Sequence, residues 1–154
     1  MAPLPKLYTQ YLLSEAHLTQ LTAWVQQEPE GAARTLSQTL IAVHHSNLVV
    51  GLVDEADRLV AFARVLTDLA LQATIYDVTV DPAWRRQGVG RHLMHEVLSH
   101  PMLRQIPHID LACPPAQAPF FTALGFTPAP QASRLRYFGG RASPFPQTPN
   151  PSGV

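Results

Sequence analysis

Arg85, Arg86, Gln87, Gly88, Val89, Gly90 and Arg91 form the stretch of this sequence with the most evident chemistry. Gly88 and Gly90 lack a Cβ, so their backbone can come close to a bulky anion. The first N–H groups of a helix that starts near Gly88 find no partner inside that helix. Arg85, Arg86 and Arg91 add positive charge around these donors. Donors and charges in this order suit a pyrophosphate. The ordinary alternative is a basic surface turn leading into a helix, which uses the same residue types.

Such a loop must be delivered by a strand and continued by a helix. Ala73 to Val80 reads as a buried strand, Asp81-Pro82 marks the turn after it, and Val89, Leu93, Val97 and Leu98 share one face of the helix that follows. Pro101 should stop that helix near Ser99. Upstream, Ser14 can cap a helix with Leu18, Leu21, Trp24 and Val25 on one side, and a second helix carries Leu36, Leu40, Ile41 and Val43. Leu48 to Asp54 and Arg58 to Thr67 read as strands joined by a polar turn at Glu55-Ala56-Asp57. His108 to Cys113 is a further short strand before Pro114-Pro115, and Ala116 to Leu124 is a short helix that Gly125 can cap. Ser133 to Phe138 is expected to close the sheet. Residues 139–154, with Pro144, Pro146, Pro149 and Pro151, read as a disordered or surface-draped tail.

The strand, the Arg85-to-Gly90 loop, the helix, the second strand and Phe120-Phe121-Thr122-Ala123-Leu124-Gly125-Phe126 together resemble the GNAT N-acetyltransferase superfamily, over residues 14 to 138. Ala61-Phe62-Ala63-Arg64, Thr67-Asp68 and Ala73-Thr74-Ile75-Tyr76-Asp77-Val78 are similar to a GNAT branch that includes the serotonin N-acetyltransferase-like proteins of plastids and cyanobacteria. The resemblance implies an α/β fold, with a mixed, mostly antiparallel sheet of six to seven strands splayed in the middle and flanked by about four helices. It implies one such domain over residues 1–138. It also implies acetyl-coenzyme A as co-substrate, with the pyrophosphate on the loop at residues 85–91. The pantetheine arm would lie in a gap between the strands at Ala73–Val80 and His108–Cys113, pairing with the backbone of Val78, Thr79 and Val80 as an added strand would. A free N–H there would face the thioester oxygen. Phe121 would lie against the same cofactor.

The expected reaction is direct transfer of acetyl to a primary amine: a small amine, an arylalkylamine or a protein amine. An alkylammonium has a pKa near 10.4 and must lose a proton before it attacks. At the position that is acidic in some GNAT enzymes this chain has Thr74, so Asp77, the nearest carboxylate on the strand, is the candidate base. Its ordinary alternative is a structural hydrogen-bonding role where the strands part. Tyr76, one position back, is expected on the other face. The departing thiolate needs a proton, yet Phe121 stands where a tyrosine is common and Pro114 where the closer branch often has an acid. Tyr137 or water is the candidate donor, and transfer is expected to be slow. The competing reading is a catalytically weak or inactive acyl-coenzyme A sensor or partner module. A phosphate hydrolase does not fit, because no Gly-Lys-Ser or Gly-Lys-Thr is present.

The chain has 154 residues, 46% of them hydrophobic, which suits a single domain with a substantial core. Lys+Arg and Asp+Glu number 11 each, so no overall field gathers nucleic acid or an anionic membrane. Neither is expected as a partner, whereas a homodimer is expected from the resemblance. The seven histidines, His92, His95 and His100 among them, lack a recognisable ligand interval, and no metal is expected. Cys113 and Trp24 read as packing residues. No apolar run reaches membrane-spanning length, and Met1 to Lys6 lacks a signal-peptide core, so a cytoplasmic location is the default expectation.

Overall fold

Two capping boxes begin the helices that cover one face of the sheet. Ser14 Oγ accepts from the His17 N–H at 3.2 Å, and His17 Nδ1 accepts in return from the Ser14 N–H, which starts α1 (Glu15–Gln26). Thr35 and Gln38 make the same exchange at the start of α2 (Leu36–His44). In this computed structural model residues 6–129 are described. Their contacts form two compact units, one up to Ala118 and one from Pro119.

The first unit is built on a sheet in the order β1 (Tyr8–Gln10), β2 (Leu48–Val53), β3 (Leu59–Thr67), β4 (Gln72–Val80) and β5 (His108–Leu111). Neighbours are antiparallel except β4 and β5, which run parallel. Leu18, Leu21 and Val25 of α1 form a core with Val49, Val53, Leu59 and Phe62, onto which Leu40 and Val43 of α2 pack. Strand alternation sends Val50, Leu52, Ala61, Ala63 and Val65 to the opposite face, all essentially solvent-free. The helix α3 (Val89–Leu98) touches β2, β3 and β4 and buries Val89, Leu93, Met94 and Val97. Both faces of β2 are therefore covered, and all of its residues are buried.

Two irregularities in β4 position the site. Its register with β3 shifts between Phe62 and Arg64, so that Asp77 and Val78 together stand opposite Ala63. Such a bulge needs one residue in an unusual conformation, and Asp77 takes φ 55°, which Asp tolerates better than most side chains. The second irregularity concerns β5, which pairs only from Gln72↔His108 to Ile75↔Leu111. From Tyr76 to Val80, β4 continues without a strand on that side among the described residues.

The helix α4 (Ala118–Ala123), which lies in the second unit from Pro119 on, ends in a Schellman motif. The Phe126 N–H donates to the Phe121 carbonyl at 3.1 Å and the Gly125 N–H to the Thr122 carbonyl at 3.0 Å. Gly125 has φ 100°. Phe126 closes edge-to-face on Phe121, with ring centroids 6.0 Å apart. The spacing of Phe121, Gly125 and Phe126 is thus that of a helix stop.

The described residues contain five strands, against the expected six to seven. Tyr8–Gln10 was not anticipated, because three residues before a helix are too short for alternation to show. β5 stops at Leu111, ahead of Pro114-Pro115, instead of reaching Cys113. The expected strand at 133–138, the domain boundary at 138/139 and the tail lie outside the described residues.

Candidate functional site

The loop between β4 and α3 is braced by its own side chains. Asp81 Oδ1 accepts from the Ala83 N–H at 2.9 Å and starts a single 3₁₀ turn, Pro82–Trp84. Arg85 Nε donates to the Val80 carbonyl at 3.1 Å, and Gln87 Nε2 donates to the Ala83 carbonyl at 3.2 Å. Arg86 then takes φ 64°, and Gly88 takes φ 82° as the N-cap of α3 with no side-chain cap. The first bond of the helix is His92 N–H to the Gly88 carbonyl at 3.1 Å. Among the described residues no acceptor is found for the N–H groups of Gln87, Gly88, Val89, Gly90 or Arg91. Arg85, Arg86, Gln87 and Gly88 are exposed, as is Arg91. Open donors at a helix start, in a loop with left-handed turns, fit a diphosphate. The side chains of Arg86 and Arg91 have no partner among the described residues and can add charge, whereas those of Arg85 and Gln87 hold the loop to the end of β4.

Val78, Thr79 and Val80 are half-buried along the part of β4 that has left β5. Main-chain groups on such an edge that have no partner among the described residues can take an extended ligand as an additional strand, although the Val80 carbonyl already accepts from Arg85. Thr79 Oγ donates to the Asp77 carbonyl at 3.0 Å, and the Asp81 N–H donates to the Val60 carbonyl at 2.8 Å, so both ends of the stretch are fixed.

At the bulge itself lies a charged cluster. Arg34 donates to Asp77 through two nitrogens, Nη1 to Oδ2 at 2.7 Å and Nη2 to Oδ1 at 3.1 Å. Arg64 Nε donates to the same Oδ2 at 2.8 Å. Burial pushes the Asp77 carboxyl up, but the hydrogen bonds and charges of Arg34 and Arg64 outweigh it and hold it below the usual carboxylate range. The Arg64 guanidinium also lies over the Tyr76 ring, 4.8 Å from its centroid. Strict alternation would send Tyr76 and Asp77 to opposite faces; the bulge brings both against Arg64. Arg34 was not apparent from the sequence, because it belongs to the connection before α2 and meets β4 only in three dimensions.

Thr74 is half-buried and paired with Asp110 of β5. Phe121 is buried, edge-to-face with Phe120 at 5.0 Å between centroids. Cys113 is a half-buried free thiol. Tyr137 lies outside the described residues. His100 accepts from the Met102 N–H at 3.2 Å and meets the Tyr11 ring edge-on, which is a local structural role. Buried His17, also unanticipated, ties α1 to the β2–β3 turn through the Asp57 carbonyl, 2.8 Å from Nε2. Among the described residues no group of His, Cys, Asp and Glu could hold a metal ion, and no helix is long and apolar enough to cross a membrane.

Comparison with known proteins places this geometry among relatives. A family described as "Acetyltransferase (GNAT) domain" matches residues 44–128. The "Uncharacterized N-acetyltransferase ycf52" of Porphyra purpurea is 34% identical over 100 residues, which are 63% of this chain and 58% of that protein. "Histone acetyltransferase TAP1" of Glycine max is 32% identical over 108 residues, 64% of this chain and 47% of that protein. The chain thus spans about half the length of the curated relatives it matches. A crystal structure of a protein belonging to the GNAT family, from Xanthomonas campestris pv. campestris, superposes with a TM-score of 0.78 at 30% identity, covering 88% of this chain and 95% of that one.

Proposed function

Since the chain belongs to the GNAT acetyltransferase family, we propose that it is an acetyl-coenzyme A-dependent N-acetyltransferase that acts directly on a primary amine. The observation that carries this reading is the joining of two features by one short loop: the length of β4 at Tyr76–Val80 that has no strand beside it on the β5 side among the described residues, and the uncapped start of α3 at Gly88. They suit the pantetheine arm and the diphosphate of one molecule.

When bound, acetyl-coenzyme A supplies an activated acyl carbon on a thiol leaving group. The N–H groups of residues 87–91, with Arg86 and Arg91, hold the diphosphate end. The backbone of Val78, Thr79 and Val80 aligns the arm, and an N–H on this edge stabilises the developing oxyanion, a contribution typically of about 3 kcal/mol per donor. The amine nitrogen bonds to the acyl carbon as the carbon–sulfur bond breaks. The proton leaves for solvent, and the thiolate, of pKa near 8.5, departs without an obligatory acid. Asp77, engaged by both guanidiniums, is a positioning residue in this scheme and not the proton acceptor. Tyr137 keeps its place as a candidate donor.

The acceptor is a small, arylalkylamine-like or protein amine, and the soybean relative's name supports the last class. A second reading, a weakly active or inactive acyl-coenzyme A sensor, draws support from the engagement of Asp77, which leaves β4 without a free carboxylate. One experiment separates the two. Thiol release from acetyl-coenzyme A is followed against grouped amines, with product mass as a second readout. Amine-dependent release together with an acetylated product is expected; tight binding of acetyl-coenzyme A without release on any amine would leave the sensor reading in place.

A further inference from the structure

Arg34 and Arg64 share a single carboxylate. Among the described residues no other acidic group lies within ion-pair distance of either guanidinium, so with Asp77 they form a cluster of net charge +1. The charge is largely withdrawn from solvent: the side chains of Arg34, Arg64 and Asp77 are 23%, 12% and 13% exposed. Screening by water and salt is therefore weak compared with that at a surface arginine. Arg64 uses Nε for Asp77 and its flat face for Tyr76. Neither of its Nη atoms finds an acceptor among the described residues. Both Nη donors are thus uncommitted among the described residues. They form a fixed planar pair held by a bond on one side and a ring beneath. Such a fork matches the two oxygens of a carboxylate or phosphate.

The cluster adjoins the acylation centre. Asp77 immediately precedes Val78, the first residue assigned to the thioester arm, and one strand residue is only about 3.3 Å of rise. We propose that Arg34, Asp77 and Arg64 form an anion-recognition site, with Arg64 as its contacting residue, that selects acceptor amines carrying a carboxylate or phosphate. This rests on the acetyltransferase reading above and narrows its acceptor class. The free guanidinium donors hold the acceptor's anion, while the excess positive charge disfavours acceptors with a second cationic group. Asp77 serves the site by fixing both arginines and cancelling one of their charges.

The test compares amines with and without an anionic group in the full chain with acetyl-coenzyme A, rates being corrected for each amine's own ionisation: δ-aminovalerate against pentylamine, and phosphoethanolamine against ethanolamine. The first pair reports a carboxylate and the second a phosphate. kcat/KM from thiol release should favour the anionic member of at least one pair on the order of tenfold, mainly through KM. The ratio should fall toward one in Arg64→Gln and recover in part in Arg64→Lys, with thermal melting used to verify that both variants fold. Calorimetry on the coenzyme A-loaded wild type adds a readout free of turnover, in which N-acetyl-δ-aminovalerate should bind on the order of tenfold more tightly than N-acetylpentylamine. Equal ratios, or preference for neutral or cationic amines, would overturn the anion site and leave acetyl transfer standing. Failure to release thiol with any of the amines would sink the transfer reading instead, and the calorimetric comparison would then decide the anion site alone.

Discussion

Arg34 and Asp77, separated by 43 positions in the sequence, meet through two hydrogen bonds and fasten the connection before α2 to the bulge of β4. Two guanidiniums on one mostly buried carboxylate make its removal costly, because an unpartnered charge is left behind. Asp77→Asn should destabilise the fold by about 2–3 kcal/mol at neutral pH, a figure reduced for the partial exposure of both arginines. The pH dependence has a definite sign. The folded carboxyl titrates below its usual value of 3.8, so its contribution is complete above the unfolded pKa and is lost as pH falls through the lower folded value. Denaturant melts of wild type and Asp77→Asn should differ at pH 7 and converge in strong acid. A difference independent of pH would contradict the ion-pair account.

Gly31 determines where Arg34 can stand. It is buried behind α1, its carbonyl accepts from the Arg34 N–H at 2.9 Å, and a Cβ added to it would run into both the side chain and the carbonyl of Val25. Backbone cannot yield as a flexible side chain can, so Gly31→Ala should cost about 2–3 kcal/mol. Because the displaced segment carries Arg34, the substitution should couple to Asp77→Asn: the double mutant should be less destabilised than the sum of the two by about 1 kcal/mol. Full additivity in chemical denaturation would disconnect Gly31 from the cluster.

These relationships also show how far the sequence could be read. The loop at residues 85–91 and the start of α3 were legible because glycines and a helical apolar face are local signals, and Gly88 is indeed the N-cap. Ser14 was legible as a cap for the same reason. The bulge was not, since Asp77 and Val78 look like ordinary alternating strand residues until their register with Ala63 is known. Arg34 gives no local signal either, and its partner is fixed only once β4 bends. The role of Arg64 follows from both. Local chemistry was therefore readable, and long-range pairing of charges was not.

Gly88 occupies a left-handed conformation at the point where backbone donors open toward solvent, with φ 82°. Gly88→Ala should lower stability by about 1–2 kcal/mol, because a Cβ is disfavoured there. It should also weaken acetyl-coenzyme A binding by on the order of tenfold, since a turn that relieves the strain misdirects the N–H groups of residues 87–91. Calorimetric titration of variant and wild type, both well below their melting temperatures, separates the two effects. Unchanged affinity would mean that the diphosphate is held elsewhere.

The engagement of Asp77 makes a final prediction about the reaction. A carboxylate held below its usual range by Arg34 and Arg64 cannot take a proton from an ammonium at neutral pH, and Thr74 carries no ionisable group. With neither residue acting as base, the neutral amine is expected to come from the acceptor's own ionisation equilibrium. For an alkylamine, log(kcat/KM) should rise with a slope of about one through neutrality and level off only near its own pKa, about 10.4. Replacing the acceptor by a less basic amine should move the plateau down with the amine's pKa. Measured profiles for two amines of different basicity test this directly. A shared plateau with an apparent pKa between about 6 and 8, the same for both amines, would reveal a protein base tuned for the purpose, and the assignment of Asp77 as a purely positioning residue would have to be abandoned or that base found elsewhere in the chain.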